Sequence, residues 1–150
     1  MSIKTIFLDR DGVINKDTNY LFRIEDFEFI SGVFEACNYF KILGYKIIII
    51  TNQSGIGRGY FTSNDFLIIN QWMIEQFKKN GVNILDIFHC PHLPKSKCDC
   101  RKPKPGMFIK AKNKYDINME KSWMIGDSER DIKAANLAGI KKTILVGSGP

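Results

Sequence analysis

The stretch Lys4-Thr5-Ile6-Phe7-Leu8-Asp9-Arg10-Asp11-Gly12-Val13 decides how the rest of the chain is read. An apolar run ends abruptly in two aspartates one residue apart, with a glycine directly behind them. A short β-rich run of this kind predicts a buried strand. Open parallel α/β sheets place their chemistry at the carboxyl ends of such strands. Asp9 and Asp11 then sit at the strand tip, and Gly12 lets the backbone turn sharply behind them. Two carboxylates that close repel each other, so a divalent cation is the expected partner. Alone, the stretch reads equally well as an Asp-Gly turn after an ordinary strand, and the remaining residues have to choose.

The bulk numbers narrow the class. A chain of 150 residues is expected to form one domain over 1–150, long enough for a sizeable core. Its 44% hydrophobic and 25% charged residues are ordinary for a globular protein. No window approaches the roughly 18 consecutive apolar residues of a membrane span, and the start of the chain lacks a signal-peptide pattern. The expectation is a cytoplasmic protein without membrane contact, working as a monomer. The net charge of +6 suits nucleic acid, an anionic surface or a phosphorylated small molecule. Basic residues concentrate at 95–114, with smaller groups at Lys78, Lys79 and Lys141, Lys142. Most of these read as a solvated surface.

Downstream, the pattern alternates. Residues 15–30 predict a loop that folds back over the strand tip. Val33, Phe34, Cys37, Phe40 and Leu43 recur at helical spacing, and Gly44 is a plausible stop. Cys37 on that stripe reads as core. Tyr45 to Ile50 is an apolar strand ending in Thr51-Asn52-Gln53, followed by a glycine-rich loop, Ser54-Gly55-Ile56-Gly57-Arg58-Gly59. Thr62 or Ser63 caps a long helix to about Lys79. Ile84 to His89 predicts a third strand, Gly106 to Tyr115 a helix, Trp123 to Asp127 a fourth strand, Asp131 to Ala138 a helix and Thr143 to Val146 a fifth strand. Alternating strands and helices give a Rossmann-like α/β fold, a parallel sheet with helices on both faces. Three strands then end in Asp9, Thr51 and Asp127, which brings these polar residues to one edge.

Cys90-Pro91-His92, five residues and Cys98-Asp99-Cys100 supply four soft or borderline ligands in two close pairs. This is a tetrahedral Zn²⁺ set with no position left for water, and hence structural. The alternative is a group of reduced surface cysteines. His89 reads as a strand-end residue rather than a ligand.

In order along the chain, Asp9-Arg10-Asp11-Gly12-Val13, Thr51-Asn52, Lys102 and Gly126-Asp127-Ser128-Glu129-Arg130-Asp131 resemble the motifs of the haloacid dehalogenase (HAD) superfamily of phosphohydrolases. The resemblance implies that Asp9 is the nucleophile, forming an aspartyl-phosphate. It implies that Asp11 protonates the leaving oxygen and then activates water, a task that suits a carboxyl nearer neutrality than a free Asp. Asp9, the backbone carbonyl of Asp11 and Asp127 are the implied Mg²⁺ ligands, with Asp131 supporting them. Thr51, the Asn52 amide and Lys102 would hold the transferring phosphoryl oxygens.

Within the superfamily the sequence is similar to the D-glycero-D-manno-heptose 1,7-bisphosphate phosphatases. Beyond the opening motif, Phe27-Glu28-Phe29-Ile30-Ser31-Gly32-Val33, Thr51-Asn52-Gln53-Ser54-Gly55-Ile56, Arg58-Gly59, Cys98-Asp99-Cys100-Arg101-Lys102-Pro103 and Pro105-Gly106-Met107 carry this similarity. It implies the absence of a large cap domain, and a pocket shaped by residues 15–25, residues 53–61 and the zinc-stabilised loop. It implies substrate contacts from Asp17, Thr18, Asn19, Tyr20, Thr51, Asn52, Gln53, Ser54, Arg101, Lys102 and Ser128. Arg101 suits a second, non-reacting phosphate, and Arg58 reads as either a further phosphate ligand or a surface residue. Two features depart from the pattern. Five residues between His92 and Cys98 resemble the related histidinol-phosphate phosphatases, and the sequence ends at Gly149-Pro150, where many relatives continue. The similarity implies removal of the C7 phosphate of the heptose 1,7-bisphosphate, with histidinol phosphate or another small phosphosugar as the alternative substrate. A zinc-stabilised, non-catalytic nucleic-acid module is the alternative of another class, disfavoured by carboxylates that would repel a phosphate backbone.

Overall fold

The computed structural model describes residues 2–147, so Gly149-Pro150 lies outside the described residues. Lys46–Asn52 forms the longest strand, β2, because Ile47 to Ile50 find cover on both faces and are at most 2% exposed. With β1 (Thr5–Leu8), β3 (Asp86–Cys90), β4 (Trp123–Gly126) and β5 (Lys142–Leu145) it builds one sheet in the order β3-β2-β1-β4-β5. Every pairing is parallel. β1 lies at the centre, so Asp9 follows the strand flanked by β2 on one side and β4 on the other.

Strand alternation divides the core in two. Ile6, Leu8, Ile47 and Ile49 face one layer with Cys37 of α1 (Val33–Ile42) and, beyond the single turn α2 (Ser54–Gly57), Phe66, Ile69, Met73 and Phe77 of α3 (Ser63–Lys79). Phe7, Ile48, Ile50 and Met124 face the other, with Phe108 and Ala111 of α4 (Gly106–Tyr115) and Ala134 and Ala135 of α5 (Glu129–Leu137). Helices therefore cover both faces, as the alternation predicts. The buried positions of α3 recur every three or four residues, and Thr62 starts it with a capping box to Asp65.

Local differences from the sequence reading have physical causes. Ser54–Gly57 is not loop but one helical turn, α2. Its Gly57 N–H donates to the Pro91 carbonyl at 2.9 Å, a long-range contact that glycine content cannot reveal. α5 begins at Glu129 rather than Asp131, because Ser128 and Asp131 form its capping box. β3 and β5 are shifted by one or two residues, within the fraying of element ends. Residues 15–30 return over the strand tip as expected, pinned where Asn15 bridges both Asp11 and Phe29. Among the described residues no helix is long and apolar enough to cross a membrane.

Candidate active site

Three carboxylates converge where β1 and β4 end. One oxygen from each of Asp9, Asp127 and Asp131 lies within 4.8 Å of the others. Glycine makes this approach possible twice. Gly12 has φ 89°, and a Cβ there would collide with the Asp127 carboxylate; a Cβ on Gly126 would collide with Asp131. Asp131 is buried, and one of its oxygens accepts from the Asp127 and Ser128 N–H groups at 3.1 and 3.2 Å. Its other oxygen lies 2.6 Å from Lys102 Nζ.

Lys102 is 2% exposed and reaches in from the far end of the Cys/His segment. Its ammonium donates to Asp9 Oδ1 at 3.0 Å and to the Ile50 carbonyl at 2.9 Å. Burial disfavours the lysine charge, but Asp9 and Asp131 more than compensate and hold its pKa above the ordinary value. Burial pushes the Asp9 carboxyl up to about 8 despite Lys102, and Asp131 adds to the rise. Burial also raises Asp127. These groups form a crowded set of hard oxygens balanced by one cation, which fits a small divalent ion such as Mg²⁺.

Asn52 locks Lys102 in place from β2. Its side-chain carbonyl accepts the Lys102 N–H at 3.0 Å and its amide donates to the Lys102 carbonyl at 3.2 Å. Upstream, Cys90 Sγ lies 3.3 Å from His92 Nδ1 and 3.7 Å from Cys98 Sγ, and His92 Nδ1 lies 3.2 Å from Cys100 Sγ. A tetrahedral centre with ligands at about 2.0–2.3 Å has edges of about 3.3–3.8 Å; three separations lie near that range, whereas Cys100 Sγ and Cys90 Sγ, 2.7 Å apart, would have to spread to admit Zn²⁺. Burial opposes thiolate formation at Cys98, but the Arg101 N–H and neighbouring donors outweigh it and draw the thiol down to about 6.

The Asp11 carboxylate turns away from the other three. Its Oδ1 accepts from Arg10 Nε and Nη2 at 3.1 and 2.8 Å and from Asn15 Nδ2 at 3.0 Å. Its Oδ2 accepts from Gln53 Nε2 at 3.1 Å. Among the described residues nothing donates to the Asp11 backbone carbonyl, which is left free for a ligand.

Above these residues opens a cleft of about 390 Å³. Asp9, Asp11, Asp17, Asn19, Tyr20, Asn52, Gln53, Ser54, Arg101, Lys102, Asp127 and Ser128 all line it, which unites nearly every residue singled out from the sequence. Two do not line it. Thr18 is exposed outside the cleft, and Thr51 is 1% exposed beneath the floor, where Gln53 covers its hydroxyl. Arg130 lines the wall that follows β4 and was missed, because an arginine between Glu129 and Asp131 reads as a solvated charge; its place inside a strand-end motif was the available signal. Arg58 joins the opposite wall, its guanidinium 5.6 Å over the Tyr20 ring, which meets Tyr60 edge-on at 4.8 Å.

With the geometry in hand, the chain can be set beside known proteins. The HAD-hydrolase-like family profile matches residues 99–150. A D-glycero-alpha-D-manno-heptose-1,7-bisphosphate 7-phosphatase from Photorhabdus laumondii is 48% identical, over 98% of this chain and 84% of the relative. The corresponding beta-heptose enzyme of Vibrio cholerae is 46% identical, over 99% and 84%. The chain belongs to the heptose-1,7-bisphosphate 7-phosphatase family. This phosphatase also superposes on a solved D,D-heptose 1,7-bisphosphate phosphatase from B. bronchiseptica, complexed with magnesium and phosphate, with TM-score 0.90 and 35% identity over 98% of this chain and 83% of that one. Membership in an enzyme family leaves the non-catalytic nucleic-acid module without support.

Proposed function

We propose that this phosphatase removes the C7 phosphate of D-glycero-D-manno-heptose 1,7-bisphosphate, with residues 1–150 acting as one unit on a small phosphosugar in the cytoplasm. Asp9 attacks phosphorus in line, and an aspartyl-phosphate forms as the sugar oxygen leaves. Asp11 gives that oxygen a proton and then takes one from the water that cleaves the aspartyl-phosphate. Magnesium, held by Asp9, Asp127 and the Asp11 carbonyl, would neutralise phosphoryl charge. Asp131 holds the Asp127 backbone, and Lys102, already aimed at Asp9, donates to a phosphoryl oxygen once substrate arrives. The Asn52 amide and Ser128 contact the substrate from neighbouring strand ends. The zinc loop fixes Arg101 and Lys102 over the cleft.

One observation carries the bisphosphate reading. Arg101, next to the catalytic lysine, lines the cleft with a buried Nη1 that has no hydrogen-bond partner. A buried guanidinium nitrogen left unsatisfied beside a phosphoryl site is suited to a second anion, and Arg58 and Arg130 extend the positive rim. Arg101→Ala removes at least one charge-assisted hydrogen bond, about 1.5–3 kcal/mol, so KM for the bisphosphate should rise about 10- to 100-fold. KM for heptose 7-phosphate should move far less, and equal effects would remove the distal-phosphate role. Initial rates with each anomer of the bisphosphate and with histidinol phosphate test the substrate itself. A kcat/KM preference for histidinol phosphate would replace this reading, with Asp17 in the cleft as the partner for its amine.

A further inference from the structure

Gln53 reads from the sequence as a substrate contact, yet its side-chain amide is already engaged. The residue is 4% exposed. A carboxylate only accepts, so the amide must turn its NH₂ toward Asp11. One N–H donates to Asp11 Oδ2 at 3.1 Å and the other to Thr51 Oγ1 at 2.9 Å. Both donors of the amide are thereby used, and neither is left for a substrate.

The two oxygens of Asp11 are unequal. Oδ1 takes three N–H groups, two from the buried Arg10 and one from Asn15, and is saturated. Oδ2 takes only the Gln53 amide, which leaves it one lone-pair direction. We propose that Gln53 is a positioning residue that aims Asp11 Oδ2, the one oxygen of the pair with room for a proton, at the leaving group. The inference rests on the role assigned above to Asp11. In the first half-reaction the Oδ2–H bond breaks as the phosphorus–oxygen bond to the sugar breaks, and the proton goes to the sugar oxygen. In the second, Oδ2 takes a proton from water as the water oxygen bonds to phosphorus and the Asp9–phosphorus bond breaks. Thr51 anchors the amide from below the cleft floor. The Gln53 N–H, 2.8 Å from the Cys90 carbonyl, anchors its backbone to the Cys/His segment, so the proton-transfer side of the site is tied to that loop as Lys102 is.

The test compares Gln53→Leu and the near-isosteric Gln53→Glu with wild type in the Mg²⁺-supplemented full chain. The substrates are heptose 1,7-bisphosphate and p-nitrophenyl phosphate, whose nitrophenolate leaves without a proton. General acid catalysis is worth roughly 10²–10⁴-fold, so kcat/KM for the sugar should fall at least about 100-fold through kcat. Loss on the nitrophenyl ester should be about tenfold or less, since little acid catalysis is needed there. A raised KM with unchanged kcat would make Gln53 a substrate contact and overturn the proposal, as would equal losses of kcat/KM, which reports the first half-reaction alone, on both esters. Thermal melts confirm which variants are folded, and Gln53→Glu carries the test if the leucine variant is not. If wild type favours another alkyl phosphate, the substrate reading fails while the same comparison, run on that ester, still judges Gln53.

Discussion

At the residue scale, the opposing demands on Asp9 set a pH dependence. Its carboxyl is raised from 3.8 to about 8, chiefly by burial. A raised folded-state value means that this residue's contribution to stability is complete below pH 3.8 and is lost as pH rises through about 8. Mg²⁺ needs the ionised carboxylate, so binding should release a proton below that range and tighten as pH rises from 5 to 8. Calorimetric titrations in buffers of different ionisation enthalpy would reveal the proton, and a flat affinity profile would contradict the account. Gly12 is the second sensitive position. Gly12→Ala forces a Cβ into the Asp127 carboxylate at φ 89°, and the strained backbone alone costs about 1–3 kcal/mol. Mg²⁺ affinity and kcat should both drop sharply, measured by metal titration and steady-state rates. The sequence made Asp9, Asp11 and Asp127 legible because strand ends announce themselves. It did not reveal that Thr51 lies under the floor or that Arg130 reaches the cleft, since both depend on which way a side chain leaves the backbone.

At the element scale, periodicity made the strands and long helices readable, and tertiary contact decided what it could not. α2 forms because its turn packs beneath the Cys/His segment, with Gly57 close enough to bond Pro91. That segment is the element that a zinc ion on Cys90, His92, Cys98 and Cys100 would hold. Cys98→Ser should lower bound zinc, read by elemental analysis, and cut kcat/KM by displacing Arg101 and Lys102. The loss should be partial, because Asn52 holds the Lys102 backbone independently. An undiminished zinc content in the variant, or a wild type free of zinc, would refute the ligand set.

At the scale of the whole molecule, the parallel order β3-β2-β1-β4-β5 gathers residues from positions 9 to 131 onto one edge, a convergence the alternating pattern made predictable without giving its distances. The net charge of +6 should steer an anionic sugar toward that edge. Raising ionic strength at fixed Mg²⁺ should therefore lower kcat/KM more for the bisphosphate than for a monophosphate. Removing Mg²⁺ by exhaustive dialysis, without a chelator that would also take zinc, should abolish turnover while circular dichroism and hydrogen exchange of the sheet stay unchanged. The reason lies in Lys102, whose ammonium lies 3.0 Å from Asp9 and 2.6 Å from Asp131. It is a resident counterion, so a newly made chain can close its carboxylates together without waiting for a cation. Magnesium supply then governs how fast each molecule works, and has little say in how many molecules reach the folded state.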